Sequence, residues 1–126
     1  MATFVFLLVV GALLVTKALD VDSTWRRVGV DGESNPLVAG WLRRLGLGRG
    51  LAAVGIVYLA ILAVEVVAVL AIGAAFLTWA AAAVGAGVAY VQWDVARHNY
   101  TGESTALTRR IAVAHAAWSR WLRGRG

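Results

Sequence analysis

From Leu51 to Val95 the chain reads LAAVGIVYLAILAVEVVAVLAIGAAFLTWAAAAVGAGVAYVQWDV, 45 residues in which Glu65 and Asp94 are the only charged side chains. A helix crosses a bilayer in about 20 apolar residues, so this run is long enough to cross twice and must fold back once. Gly73, between Ile72 and Ala74, is the expected turn, because glycine accepts conformations that other residues avoid. The reading is two spans, about 51–72 and 75–94. Lipid cannot satisfy free backbone groups and no alternating β-barrel pattern is present, so both spans are helices.

A third span precedes them. Thr3 to Leu19 is apolar apart from Lys17. No basic residue comes before it and no small-x-small cleavage site is evident, so a retained membrane helix over about 3–19 is expected rather than a signal peptide. Composition agrees: 60% of the 126 residues are hydrophobic, against about 45–50% in soluble domains, and the mean hydropathy is +0.74. The expected fold is an all-α membrane protein of one domain, residues 1–126. Cysteine is absent, which excludes disulfides, thiolate metal sites and cysteine nucleophiles.

Between the first two spans, Asp20 to Gly50 is polar and broken. Val30-Asp31-Gly32 and Asn35-Pro36 are turn signals. Pro36 can open a short helix over about 36–45, capped by Asn35, lying at the interface or re-entering the membrane. Gly46, Gly48 and Gly50 end it. After the third span, Ser104 is the expected cap of a final helix over about 104–123. Its wheel gathers Leu107, Ile111, Ala114, Trp118, Trp121 and Leu122 on one face and Arg109, Arg120 and Arg123 opposite. Such a basic amphipathic helix suits an anionic membrane surface, or else packs on a partner or on the first loop.

Charge sets the orientation. The five arginines of the first loop and the six from Arg97 onward share one side of a three-span protein, with Lys17 near the same end; the opposite side has none. The positive-inside rule then puts loop and C-terminus in the cytoplasm and the N-terminus outside. Trp25, Trp41 and Trp93 near the inner interface and Trp79 nearer the outer one form an aromatic belt. This placement accounts for the net charge of +5 and the pI of about 10.8 without nucleic acid.

Glu65 is the sharpest candidate for function, since a charge at its depth costs at least ~2.5–3.5 kcal/mol. It suits helix association or a partner chain better than a proton path, because its neighbours are Ala, Val, Ile and Leu. Ala81, Gly85 and Ala89 form a small-xxx-small face for close helix packing, satisfied by the second helix or by another copy. Towards the loop end, Asp20, Thr24, Glu33 and Asn35 are expected to meet Gln92, Asp94, Arg97, His98 and Asn99 in a network of caps and salt bridges. That cluster lacks an activated nucleophile. His98 and His115 lack the ligand spacing of a metal motif. No cofactor or metal is expected. Gly46-x-Gly48-x-Gly50 is no dinucleotide fingerprint, and the Asn99-Tyr100-Thr101 sequon falls on the cytoplasmic side.

Asp20-x-x-x-Thr24 followed by Glu33-x-Asn35-Pro36-Leu37 resembles a family of small prokaryotic, largely archaeal, membrane proteins of unknown function. In that family a first membrane helix ends in Asp-x-x-x-Thr and Glu-x-Asn-Pro-Leu follows. The similarity covers the first third of the chain, and the resemblance implies no activity.

The expected role is a non-enzymatic accessory or structural subunit, of a membrane complex or a virion envelope. It would assemble with copies of itself or with another membrane protein, in contact with lipid and anionic head groups. A minimal oligomeric ion or proton transporter using Glu65 is the second reading. An enzyme at the membrane interface is the third, and a scaffold holding nucleic acid through its arginines the fourth.

Overall fold

The computed structural model describes residues 1–33 and 35–124, and these contain helices and turns with no strand. Helix α1 (Ala2–Ser23) runs directly into a π-helical turn, Thr24–Val28, and a single further turn, α2 (Gly29–Gly32). Next come α3 (Pro36–Leu45), α4 (Leu47–Ile72), α5 (Ala75–Thr101) and α6 (Ala106–Arg123). Among the described residues three helices are long and apolar enough to cross a membrane: Ala2–Gly32, Leu47–Ile72 and Ala75–Thr101.

Local chemistry explains the boundaries. Gly73 takes a left-handed conformation with φ 67°, and its N–H bonds back to the Val69 carbonyl at 3.1 Å. That closes α4 and sends the chain back as α5. Asn35 caps α3 as expected, its side chain accepting from the N–H of Leu37 at 3.1 Å, with Pro36 in the first turn. Three boundaries differ from the expectation. The bend falls at Gly29, which holds φ 67°, while Val30-Asp31-Gly32 continues as a helical turn. Gly46 alone separates α3 from α4, so the later loop glycines are helical. Thr105 rather than Ser104 caps α6, accepting from the Thr108 N–H at 3.1 Å.

Helices α1 and α5 form the principal seam. In lipid there is no water to expel from such a seam, so close van der Waals contact must hold it. The small face of α5 supplies that contact, with Ala82, Gly85 and Ala89 buried. A Cβ on Gly85 would lie 2.8 Å from Val9 Cγ1. The face therefore packs on the first helix, not the second, and its line passes through Ala82, with Ala81 only half-buried. Helix α4 rests on this pair more lightly. Leu62 meets Leu13 and Ala89 in a small core that Val9, Val10, Tyr58 and Val66 flank, while Ile56, Ile61, Val64 and Val67 are exposed.

Candidate functional site

The helices converge at the loop end of the bundle around a cavity of about 390 Å³. Helix α1 contributes Lys17 and Asp20, the π-turn Thr24, the α2–α3 connection Glu33 and Asn35, and α5 Gln92 and Asn99. Ile111 and His115 of α6 close over it, and valines from α1, α4 and α5 form much of the wall. Both short motifs quoted above thus end in one place. Asp20-x-x-x-Thr24 straddles the change from α to π winding, and a π-turn re-aims the side chains that follow it. Glu33 and Asn35 flank the break ahead of α3.

Lys17 Nζ donates to Asp20 Oδ2 at 2.7 Å and stands 5.5 Å from the centre of the Tyr58 ring. This pair is one helical turn apart and settles where Lys17 is engaged: on its own helix, not with Glu65. Thr16 donates to Gln92 Oε1 at 2.9 Å, and Asn99 Nδ2 donates to Ser23 Oγ at 3.0 Å. Those bonds tie α5 to α1 on either side of the cavity. Below them the next layer towards Gly73 is the apolar core of Leu13, Leu62 and Ala89. Tyr58 and Glu65 are separated on α4 by about 10 Å of helix, with no polar side chain between them. Within one chain, then, an apolar layer divides the cavity from Glu65.

Glu33 Oε1 accepts the Asn35 N–H at 2.7 Å. Burial raises the Glu33 carboxyl above its ordinary value near 4.5; the bond from Asn35 opposes the rise, nearby Asp20 adds to it, and His115 and Lys17 act against it. The folded state therefore holds the Glu33 proton to higher pH than the unfolded chain. Stability falls as pH rises from about 4.5 through the raised pKa, and stays lower above it. Glu33→Gln keeps an oxygen for Asn35 and removes the charge. We expect this variant to melt above the wild type at pH 8, with the gap closing towards pH 4.5. Tryptophan-fluorescence melts in detergent across that range check it, and a variant less stable at pH 8 would show that Lys17 and His115 outweigh burial.

Asp94, Arg97 and His98, expected in the same network, stand apart from the cavity lining: Asp94 fastens α6, and Arg97 and His98 hold the connection that leads into it. Asp94 is 1% exposed and its Oδ2 accepts from the hydroxyls of Thr105 at 2.7 Å and Thr108 at 2.6 Å. Arg97 pairs with Glu103 at 2.6 Å, and His98 Nδ1 lies 3.1 Å from the Glu103 carbonyl oxygen. Near the same end Tyr100 donates to the Asp22 carboxylate, which also holds Arg26 at 2.7 Å. Sequence reasoning overlooked Lys17 and His115 as cavity residues. A signal existed for Lys17, which precedes Asp20 by three residues on a helix. For His115 none did, since its placement depends on how α6 docks.

Docking turns the Thr108–Ile111–His115 edge of α6 to the bundle and leaves Arg109 and Arg120 exposed, with Trp118 and Trp121 partly so. The side chain of Arg123 lies outside the described residues, as does that of Leu122. Among the described residues no group of three or more His, Cys, Asp or Glu is arranged to hold a metal ion. What the cavity offers is one lysine, two carboxylates and three carboxamides in an apolar surround, a set suited to recognising a small polar group. No family model matches this chain, nor does any curated protein or solved structure.

Proposed function

We propose that the chain is a non-enzymatic membrane subunit that assembles through the Gly73 half of α4, and that its immediate partner is a second copy of itself. One observation carries this reading. Glu65 lies well inside a membrane helix, half-buried, and has no hydrogen bond or ion pair among the described residues. Ile61, Ala68 and Ile72, on the same side of α4, are exposed. An acid at that depth needs a polar contact. A neutral carboxyl is both donor and acceptor, and a two-fold axis brings a residue to its own copy. Two Glu65 side chains can therefore satisfy each other.

The orientation belongs to the same reading: loop, cavity and C-terminus face the cytoplasm, because all the arginines lie at that end. So does the resemblance of Asp20, Thr24, Glu33 and Asn35 to the archaeal motifs. The apolar layer between cavity and Glu65 weighs against a proton path through one chain.

Native mass spectrometry of the gently extracted full chain tests the assembly. A dimer is expected. Glu65→Gln should preserve it, since the amide also donates and accepts. Glu65→Leu should weaken it about tenfold, the size of one interhelical polar contact of ~1–2 kcal/mol. A monomeric wild type, or a Glu65→Leu dimer as tight as the wild type, overturns the reading. A stoichiometric foreign chain in place of the second copy would overturn self-association, and proton flux in vesicles that Glu65→Gln abolishes would put the transporter in its place.

A further inference from the structure

The polar cavity does not end at its own wall. A groove of about 340 Å³ adjoins it between α3 and α4, sharing Lys17, Asn35, Val38 and Val54. The rest of the groove is Leu37, Trp41, Val57, Tyr58 and Ile61. Among these, Leu37, Val57 and Ile61 are exposed on the outside of the bundle, where a membrane helix meets lipid. A compartment with charged walls thus passes into a lipid-facing apolar channel. Each volume lies within the ~300–1,000 Å³ of small-molecule sites. Such a pair of spaces fits an amphiphile, with its head in the cavity and its tail in the groove.

The charges specify the head. Asp20 and Glu33 both line the cavity, and both lie close enough to influence one another. The bonds described above use one acceptor position on each, whereas an ionised carboxylate offers about four. Both therefore have acceptor positions to offer a cation with several N–H donors in the cavity. Lys17 stands at the junction of cavity and groove, lining both, and gives one N–H to Asp20. An ammonium has three, so the others are available to an anion at the junction, beside the Asn35 side chain. Read from the inside outwards, the lining asks for a cation, then an anion, then an apolar chain.

We propose that cavity and groove together hold one phospholipid with a primary-amine head group, its ammonium between Asp20 and Glu33, its phosphodiester at Lys17 and an acyl chain along the groove. Charge-assisted hydrogen bonds of this kind are the strong ones, and Val91, Val95 and Ile111 around the head keep competing water away. The groove stops at Ile61, one turn short of Glu65. Lipid groove and dimer face thus meet at Ile61, while the polar groups of the lipid site stay clear of Glu65.

The full chain in nanodiscs of phosphatidylethanolamine and phosphatidylglycerol in equal parts, released into the gas phase, gives the test. One phosphatidylethanolamine per chain is expected to survive, favoured about tenfold or more over phosphatidylglycerol, as the loss of one hydrogen-bonded charge contact implies. Phosphatidylcholine has a cation without N–H donors and should bind as poorly. The Asp20→Asn, Glu33→Gln double variant should lose the preference. Val57→Trp, which fills the groove from an exposed position, should lose the lipid with its melting temperature unchanged, and Glu65→Leu should retain it. Equal retention of phosphatidylglycerol overturns the amine recognition. Free phosphoethanolamine binding as tightly as the lipid overturns the role of the groove, as does a Val57→Trp variant that keeps its lipid.

Discussion

Replacing Gly50 with alanine is expected to destabilise the protein by about 1–3 kcal/mol, the range for forcing one carbon into a packed contact. In a helix interior the same exchange ordinarily stabilises by up to about 1 kcal/mol, so the sign alone is informative. Gly50 lies in the first turn of α4, against α3. A Cβ there would meet Leu42 Cδ2 at 2.7 Å, its Cα at 2.9 Å and its backbone N at 3.1 Å. The side-chain atom could swing aside; the helical backbone at buried Leu42 cannot. Helix α3 would have to lift from α4, carrying Asn35 and Val38 away from the cavity and Trp41 from the groove. Gly55, on the same helix, has nothing within 4 Å of the equivalent position. Gly55→Ala should then be neutral or mildly stabilising, and thermal melts of the pair followed by tryptophan fluorescence separate steric exclusion from a general effect of glycine in α4. Equal stability of the two variants would mean that α3 is not held against α4.

What the sequence disclosed divides according to the range of the forces involved. The three spans, the reversal at Gly73 and the Asn35–Pro36 start of α3 were all legible, because span length, glycine conformation and helix capping are settled within a few residues. The seam was not. Ala81, Gly85 and Ala89 are one reading of a helix on which nearly every residue is small, and only the position of α1 decides that Ala82 is buried and Ala81 is half-buried. The cap of α6 shows the same limit at a single residue. Ser104 and Thr105 are both good caps by type, and the choice falls to Thr105 because its hydroxyl also reaches Asp94, eleven residues back.

The candidate site was legible in part, for a related reason. Asp20, Thr24, Glu33 and Asn35 stand out in sequence as polar groups where spans end, and they do share a cavity. Asp94, Arg97 and His98 have the same profile and sit at the same end, yet they hold α6 and the connection that leads into it. Which face of α5 they occupy relative to Gln92 and Asn99 is a matter of helical phase, and phase acquires meaning only once α1 and α6 are in place. Helix α6 had two readings, the membrane surface, or packing on a partner or on the first loop. Its Ile111–His115 edge lines the cavity, while Arg109, Arg110, Arg120, Trp118 and Trp121 are exposed.

That arrangement gives Asp94 an influence beyond its size. Asp94→Ala is expected to release α6 from the bundle, with a loss of about 3 kcal/mol when two hydrogen bonds to a charged group go. Asp94 is 1% exposed, and its two hydroxyl partners are Thr105, the cap of α6, and Thr108 in the first turn. Without it, the Thr105 and Thr108 hydroxyls lose their acceptor in a buried place. Ile111 and His115 would then leave the mouth of the cavity. The absence of cysteine makes this measurable, because one introduced thiol is the only one to react. With Ile111→Cys as the reporter, labelling by a water-soluble maleimide should accelerate roughly a hundredfold in Asp94→Ala, 1.4 kcal/mol corresponding to each factor of ten. Asp94→Asn keeps an acceptor oxygen and should restore most of the protection. Equal labelling of the alanine and wild-type backgrounds would mean that the Arg97–Glu103 pair and the α6 packing hold the helix by themselves. The aspartate's other oxygen is buried with no hydrogen-bond partner among the described residues; both bonds to the α6 hydroxyls run through Oδ2, so the alanine variant should lose the docking of α6 while the α1–α5 seam stays intact.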